Sequence, residues 1–330
     1  MSEYLFYPGC SLQRTARPYL DSIMAIQGIL GIGLAEIQDW NCCGATEYSA
    51  VHHIAAFALV ARNLALAARQ ANGAQTVTTA CSACYLNLAK TDSYLRRDSQ
   101  LNEQVNKSLE AGGMHYQPGE LEIRHLLDII VNDVGLEKVK NSVVRPLQGL
   151  RIAPYYGCMI ARPDRDHRWD NVEHPTALDR LMKVLGAEVI DFPLKTHCCG
   201  GHMTQINLPV AYDLIRRLIH SAHEYRADLL VTLCPMCQLN LDAYQVEMNK
   251  YFRTDYRVPI VYFTQLMGLA FGLDADTLGL GKEFIDPRPA LAKIGVEAPA
   301  EVPAPKARPP KGAKEALPMP RMPAYEEVEE

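Results

Sequence analysis

Short apolar and β-branched runs recur along the chain, and most of them end at a cysteine. "EYLFYPGC" reaches Cys10, "LAEIQDWNCCG" reaches Cys42 and Cys43, and "AQTVTTACSAC" reaches Cys81 and Cys84. The same succession returns later. "RIAPYYGC" reaches Cys158, "AEVIDFPLKTHCCG" reaches Cys198 and Cys199, and "ADLLVTLCPMC" reaches Cys234 and Cys237. Runs of this length and composition read as strands that carry the cysteines at their C-terminal ends. Helical periodicity fills the intervals. Residues 17–30 and 174–186 precede the second strand of each half, and 47–71 and 207–226 precede the third. The third strand then runs straight into "CYLNLAKTDSYL" or "CQLNLDAYQVEM", which continue as helices. A further segment, "RHLLDIIVNDVG" or "VYFTQLMGLAFG", reads as a closing helix for each half.

Strand–helix alternation predicts an α/β fold made of two pseudo-symmetric repeats, each a small unit of parallel strands. In such sheets the ligand crevice lies beyond the carboxyl ends of the strands. The period of about 150 residues is that of a domain rather than of a solenoid unit. The chain therefore divides into residues 1–145, residues 146–286 and a tail from 287 to 330. Ten of the 21 prolines fall in that tail, which closes on "YEEVEE". Its composition cannot bury a core and predicts an extended or disordered segment, either docked on a partner or simply solvated. The second half carries an insertion, "RPDRDHRWDN" (162–171), which reads as a charged surface loop, either bordering the second site or merely solvated.

Composition narrows the function classes. The chain has 330 residues and a formal net charge of −5, with no basic stripe for nucleic acid. The most apolar stretch, near 54–68, is interrupted by Arg62 and Asn63 and is too short to span a membrane. The N-terminus has neither a basic n-region nor a cleavable apolar segment, so a cytoplasmic location is expected. No G-x-G-x-x-G opens a helix after a strand, which removes the nicotinamide and flavin fingerprints.

All ten cysteines belong to the repeat. The first five are separated as Cys, 31 residues, Cys-Cys, 37 residues, Cys-x-x-Cys. The second five follow as Cys, 39 residues, Cys-Cys, 34 residues, Cys-x-x-Cys. Disulfides do not suit a reducing compartment. A zinc ion takes four tetrahedral ligands and is overfilled by five thiolates. A redox dithiol at Cys-x-x-Cys leaves three cysteines of each set without a use. An iron–sulfur cluster offers several coordination points, so adjacent cysteines can serve different irons. Gly44 and Gly200 follow the pairs; without a side chain and free to take positive φ, they let backbone approach bulky sulfide. The compact cysteine run of ferredoxins is absent, so an ordinary cubane is not expected.

The two copies of this pattern resemble the tandem CCG domains found in the B subunit of heterodisulfide reductase, over about residues 3–275. The resemblance implies a non-cubane [4Fe-4S] cluster on each set. Cys10, Cys42, Cys43, Cys81 and Cys84 would hold one; Cys158, Cys198, Cys199, Cys234 and Cys237 would hold the other. It implies a catalytic role in which a disulfide is split between facing clusters, each capturing one sulfur. Two electrons are needed and each cluster delivers one. The implied partners are a ferredoxin-like iron–sulfur subunit and a flavin-bearing subunit. The implied substrate is a thiol or disulfide, either the coenzyme M–coenzyme B heterodisulfide or a lipoate-bound sulfur carrier. CCG domains also occur in glycolate, lactate and succinate oxidoreductases, where they relay electrons to or from a quinone. A zinc-stabilised scaffold is the non-enzymatic alternative.

Other residues have two readings each. His197 and His202 flank the second pair and are candidates for donation to sulfide or protonation of a leaving thiolate, or are simple packing. Lys195 is either a charge balance for the site or a snorkelling surface lysine. His52 and His53 follow the first pair, and at most one can face it. Arg162, Arg165 and His167 are candidates for carboxylate or phosphate recognition. Tyr155 and Tyr156 read as strand residues that shield the second site.

Overall fold

The computed structural model describes residues 2–45, 48–161 and 169–296. The candidates Arg162, Arg165 and His167 and the tail from 297 lie outside these residues. Each half contributes a four-stranded, wholly parallel sheet. In the first half β1 (Ser2–Phe6), β2 (Ile32–Glu36), β3 (Thr76–Thr79) and β4 (Glu122–His125) are ordered β2-β1-β3-β4. In the second half β5 (Arg151–Tyr155), β6 (Glu188–Val189), β7 (Leu229–Thr232) and β8 (Ile260–Tyr262) are ordered β6-β5-β7-β8. The two orders are the same topology written twice. Every residue of β7 and β8 is buried, as expected where helices cover both faces of a parallel sheet.

The helices follow the periodicity closely. The helix Arg17–Leu30 starts with a proline in its first turn and ends at Gly31, whose φ of 69° gives a left-handed cap. The helix Leu208–Glu224 is capped by Asn207, whose side chain accepts from the amide of Val210 at 3.3 Å. The fourth strand of each half was hidden. "EIRH" and "IVY" are only 4 and 3 residues long and pass directly into helix, so the apolar run reads as one helix. In the first half that helix is a short turn, Leu126–Asp128, continued by a π-helical stretch, Ile129–Gly135.

Residues 287–296 depart from the expected tail boundary. They form a short helix, Arg288–Leu291, and return to the second half. The amide of Gly295 donates to the Gln148 carbonyl at 2.8 Å, and Lys293 pairs with Asp228. Gly149 makes the docking possible. Its φ is +89°, and a Cβ there would stand 2.4 Å from the Lys293 carbonyl oxygen.

The halves meet along a dry seam. The helix Arg17–Leu30 packs on Phe263–Ala270 of the other half, with Ser22 and Thr264 hydroxyls 2.6 Å apart. Tyr19 stacks face to face on Tyr262, with ring centroids at 4.1 Å. Its hydroxyl donates to the Ala80 carbonyl at 3.0 Å and reaches the Leu233 carbonyl at 3.4 Å. His125, at the end of β4, meets the same two carbonyls, with Nε2 3.0 Å from that of Ala80. Its Nδ1 accepts from the amide of Leu127 at 3.1 Å, so the ring proton sits on Nε2. Burial lowers the His125 pKa to about 4. A second ring proton would in addition point at the Leu127 N–H.

Two outcomes follow from this packing. The unfolded chain, with His125 near 6.5, binds more protons than the folded chain, so stability falls as pH drops from about 6.5 to about 4. The loss approaches about 3 kcal/mol at the lower end. Urea midpoints measured across that window should fall less steeply in His125→Gln, which keeps a donor and does not titrate. Gly149→Ala should cost about 2 kcal/mol or more and expose 287–296 to limited proteolysis, because both its φ and its space exclude a side chain.

Candidate functional site

Each half builds its cysteine set with the same four devices. The first is the turn after the leading strand. Gly9 and Gly157 precede the lone cysteines with φ of +72° and +70°. A Cβ at Gly9 would stand 2.8 Å from Cys84 Sγ, and one at Gly157 would stand 3.0 Å from Cys237 Sγ. Only glycine leaves that room. The second is a tyrosine three residues before the lone cysteine. The Tyr7 hydroxyl donates to the Asn41 carbonyl at 2.6 Å, and the Tyr155 hydroxyl donates to the His197 carbonyl at 2.6 Å. Asn41 and His197 immediately precede the two Cys-Cys pairs, so each tyrosine ties the lone-cysteine turn to the pair. Burial first, then nearby thiols, keep both phenols protonated and therefore donors.

The third device is an asparagine one turn past the last cysteine. Asn87 Nδ2 donates to the Cys43 carbonyl at 2.9 Å; Asn240 Nδ2 reaches the carbonyls of Cys199 at 3.4 Å and Gly201 at 3.0 Å. The fourth is the glycine after the pair. Gly44 and Gly200 have φ of +63° and +85°, and their amides point at the sulfurs of Cys42 and Cys198 at 3.5 and 3.4 Å. Tyr7, Gly9, Gly157, Asn87 and Asn240 were missed in the sequence. The signal was present: "YPGC" with "YYGC", and "CYLNL" with "CQLNL", each recur at matching places.

None of the ten cysteines is in a disulfide. In the first half Cys10 and Cys42 sulfurs lie 3.7 Å apart, and those of Cys43 and Cys84 lie 3.3 Å apart. Cys43, Cys81 and Cys84 are buried, while Cys10 and Cys42 are exposed. In the second half Cys199, Cys234 and Cys237 are buried, Cys158 is half-buried and Cys198 is exposed. The sets also approach each other: the carbonyls that precede Cys81 and Cys234 lie 3.0 and 3.4 Å from the one Tyr19 hydroxyl at the seam. The lone-cysteine helix Gly9–Gln13 packs on Pro235–Ala243, and Gly157–Ile160 packs on Ser82–Arg97. Each set is thus walled partly by the opposite half.

The thiols share very little negative charge. Hydrogen bonds from Cys42 and Cys84 hold Cys43 well below the usual thiol range, and those from Cys237 and Cys81 do the same for Cys234. Their neighbours move the other way. Cys84 is raised by its bonds to Cys43 and Cys81, and Cys81 by its bond to Cys234. Cys199 is pushed up to about 12, chiefly by Cys198. In each set a lowered thiol thus adjoins raised ones, and added positive charge would ionise the raised thiols.

The other candidates scatter. His197 is exposed and contributes its backbone rather than its ring to the bond from Tyr155. His202 is half-buried and precedes the short helix Met203–Ile206. His52 caps the helix His53–Arg69 by accepting from the Ala55 amide at 3.4 Å, and His53 packs edge-on against Phe57. Lys195 is not a surface lysine: it is buried, 3.2 Å from Asp179 and over the ring of Tyr156. Tyr156 hydrogen-bonds Asp179 and accepts from the Leu178 amide at 2.8 Å, so it anchors the helix Ala177–Val184.

The donor set fits a multinuclear cluster better than a single ion. Each half carries five thiols, one more than a four-coordinate ion takes, and several irons would give each a place. The glycine cradles at Gly9 and Gly157 keep side chains away from the sulfurs. The Thr232 hydroxyl, two residues before Cys234, is buried without a partner, a donor left over beside the second set.

Comparison with known proteins agrees with this geometry. A model of the CCG cysteine-rich domain matches residues 4–89 and 152–242, more than half of the chain. The 8-methylmenaquinol:fumarate reductase membrane anchor subunit of Wolinella succinogenes is 38% identical over 86% of this chain and 97% of its own length. The B subunit of the ferredoxin:CoB-CoM heterodisulfide reductase of Methanosarcina mazei is 30% identical over 80% of this chain and 88% of its own. A protein of Archaeoglobus profundus named for its likeness to the same heterodisulfide reductase component is 27% identical over 84% and 93%. A hypothetical protein from Helicobacter pylori shares the fold, with a TM-score of 0.67 at 15% identity over 86% of this chain and 52% of its own. No described helix is long and apolar enough to cross a membrane. Two cysteine-rich repeats, matched in sequence and built alike in structure, place the chain in the CCG family, where it is a tandem protein similar to the B subunit of heterodisulfide reductase.

Proposed function

We propose that the chain is a redox subunit of a multisubunit oxidoreductase. Its two five-cysteine sets would each hold a [4Fe-4S] cluster of non-cubane type, and thiol–disulfide or sulfane-sulfur chemistry would take place between them. The observation that carries this reading is the convergence of both sets on one seam, where the carbonyls before Cys81 and Cys234 share the Tyr19 hydroxyl, with an exposed cysteine in each set. Iron would supply one-electron steps and a binding point for sulfur. The chain's own residues would do the rest. Tyr7, Tyr155, Asn87 and Asn240 orient the cysteine loops, and the buried cysteines exclude water from the inner side. Exposed Cys10, Cys42 and Cys198 mark where a small thiol or a carrier-bound sulfur would approach. A flavin-bearing subunit and a ferredoxin-like subunit would exchange electrons with it.

A second reading is favoured by the relative from Wolinella succinogenes, at 38% identity across nearly its whole length. There the same two clusters would relay electrons between a menaquinol and a fumarate reductase partner, with no sulfur substrate.

Protein purified without oxygen should carry roughly eight irons per chain, and Cys43→Ala or Cys199→Ala should each lose about half. Zinc in place of iron would overturn both readings. Adding a dithiol or coenzyme thiol to the oxidised, loaded protein should produce a new paramagnetic signal. Silence with every thiol tried, together with electron transfer to a menaquinone analogue, would select the relay.

A further inference from the structure

Cys81 and Cys234 come from different halves, yet the peptide planes that lead into them meet at one hydroxyl. What holds them there is the pair of carbonyls just before them. The Ala80 carbonyl shares a peptide plane with the Cys81 amide, and the Leu233 carbonyl shares one with the Cys234 amide. The Tyr19 hydroxyl lies 3.0 Å from the first carbonyl and 3.4 Å from the second. His125 Nε2–H also faces both, and the Ser82 hydroxyl reaches the Leu233 carbonyl at 3.4 Å. Tyr19 and His125 have no solvent exposure, so water cannot substitute for either donor. Each is itself fixed: Tyr19 by its stack on Tyr262, His125 by the Leu127 amide at Nδ1. Two donors, both dry and both braced, set the orientation of two peptide planes and hence the separation of the two thiols.

We propose that Tyr19 and His125 are positioning residues that hold the two cysteine sets close together at the seam, and that electrons pass between the sets there. The inference rests on the cluster reading above. One electron leaves one set, which is oxidised by one unit, and enters the other, which is reduced by one. No bond forms or breaks and no proton moves at the seam, because the Nε2 proton of His125 and the Tyr19 proton stay on their own atoms, each directed at a carbonyl acceptor. The seam would thus let two one-electron centres act together on a two-electron substrate.

The test uses the anaerobically loaded full chain, with iron counted first. In the reduced wild type the two sets should show magnetic interaction as a splitting in the EPR spectrum. With iron content unchanged, Tyr19→Phe and His125→Leu should narrow or abolish that splitting. His125→Gln, which keeps a donor, should retain most of it. Asp21→Asn, on the same helix as Tyr19 but paired outward with Arg17, should leave it intact. Full iron with an unchanged splitting in both clamp variants overturns the inference and leaves the cluster reading standing; absence of iron from the wild type overturns both. If a variant does not load, the iron-free chains answer the question. Treated with diamide, which takes two electrons and two protons from a thiol pair, the wild type should give a Cys81–Cys234 disulfide detectable by mass spectrometry. The yield should drop about fivefold when one clamp hydrogen bond is lost. Equal yields would overturn the inference.

Discussion

The contact on which the rest depends is the dry seam beneath Cys81 and Cys234. Two carbonyls from two different sheets accept from the same two side chains, and each carbonyl adjoins a cysteine. Buried carbonyls must be satisfied; that of Ala80 takes Tyr19 and His125 from its own half, whereas that of Leu233 takes Tyr19, His125 and Ser82 from the opposite half. Separating the halves would therefore orphan the Leu233 carbonyl beside Cys234. The stacked tyrosines and the Ser22–Thr264 bond extend the same seam outward. A site assembled from both halves is in this sense also what joins them.

Around the seam each half repeats one solution. Parallel strands aim their carboxyl ends at the cleft, a glycine clears space for a sulfur, a tyrosine ties two loops, and an asparagine holds the carbonyl of the adjacent pair. The repetition is not complete. The first half brackets Asn41 with the buried Asn63, whose side chain both accepts and donates, while the second half has a buried Lys195–Asp179 pair with Tyr156 instead. A buried ion pair contributes little net stability, since desolvation offsets most of the attraction. It places a buried charge pair near the second set, where the first set has the more exposed Arg62–Asp39 pair beside Asn41. The two sites are thus alike in their cysteines and different in their surroundings.

The names of the relatives point in two chemical directions, a heterodisulfide and a menaquinol, and the cysteine framework of this chain is compatible with either. The framework itself shows why. Buried thiols, one acidic per set, surrounded by donors and opened on one flank, make a redox centre without specifying what it meets. Selectivity would lie in the residues over Cys10, Cys42, Cys158 and Cys198 and in the partner subunits.

The sequence by itself determined the repeat, the parallel α/β character and the identity of the ten cysteines, because strand runs, helix periodicity and cysteine spacing are local and survive without knowledge of contacts. It also carried Gly9, Asn87 and their counterparts as repeated letters whose meaning was not visible. It misled at β4 and β8, where short strands merge into helix, at Lys195, whose burial depends on Asp179 on a separate helix, and at 287–296, where Gly149 receives a segment rich in proline. Only the tertiary structure decided that Tyr19 and His125 serve the cysteines. They lie 61 and 45 residues from Ala80 in sequence, and no spacing rule connects them. Their role arises because two sheets, each legible alone, bury their carboxyl ends against one another, and a buried carbonyl takes whatever donor the fold delivers.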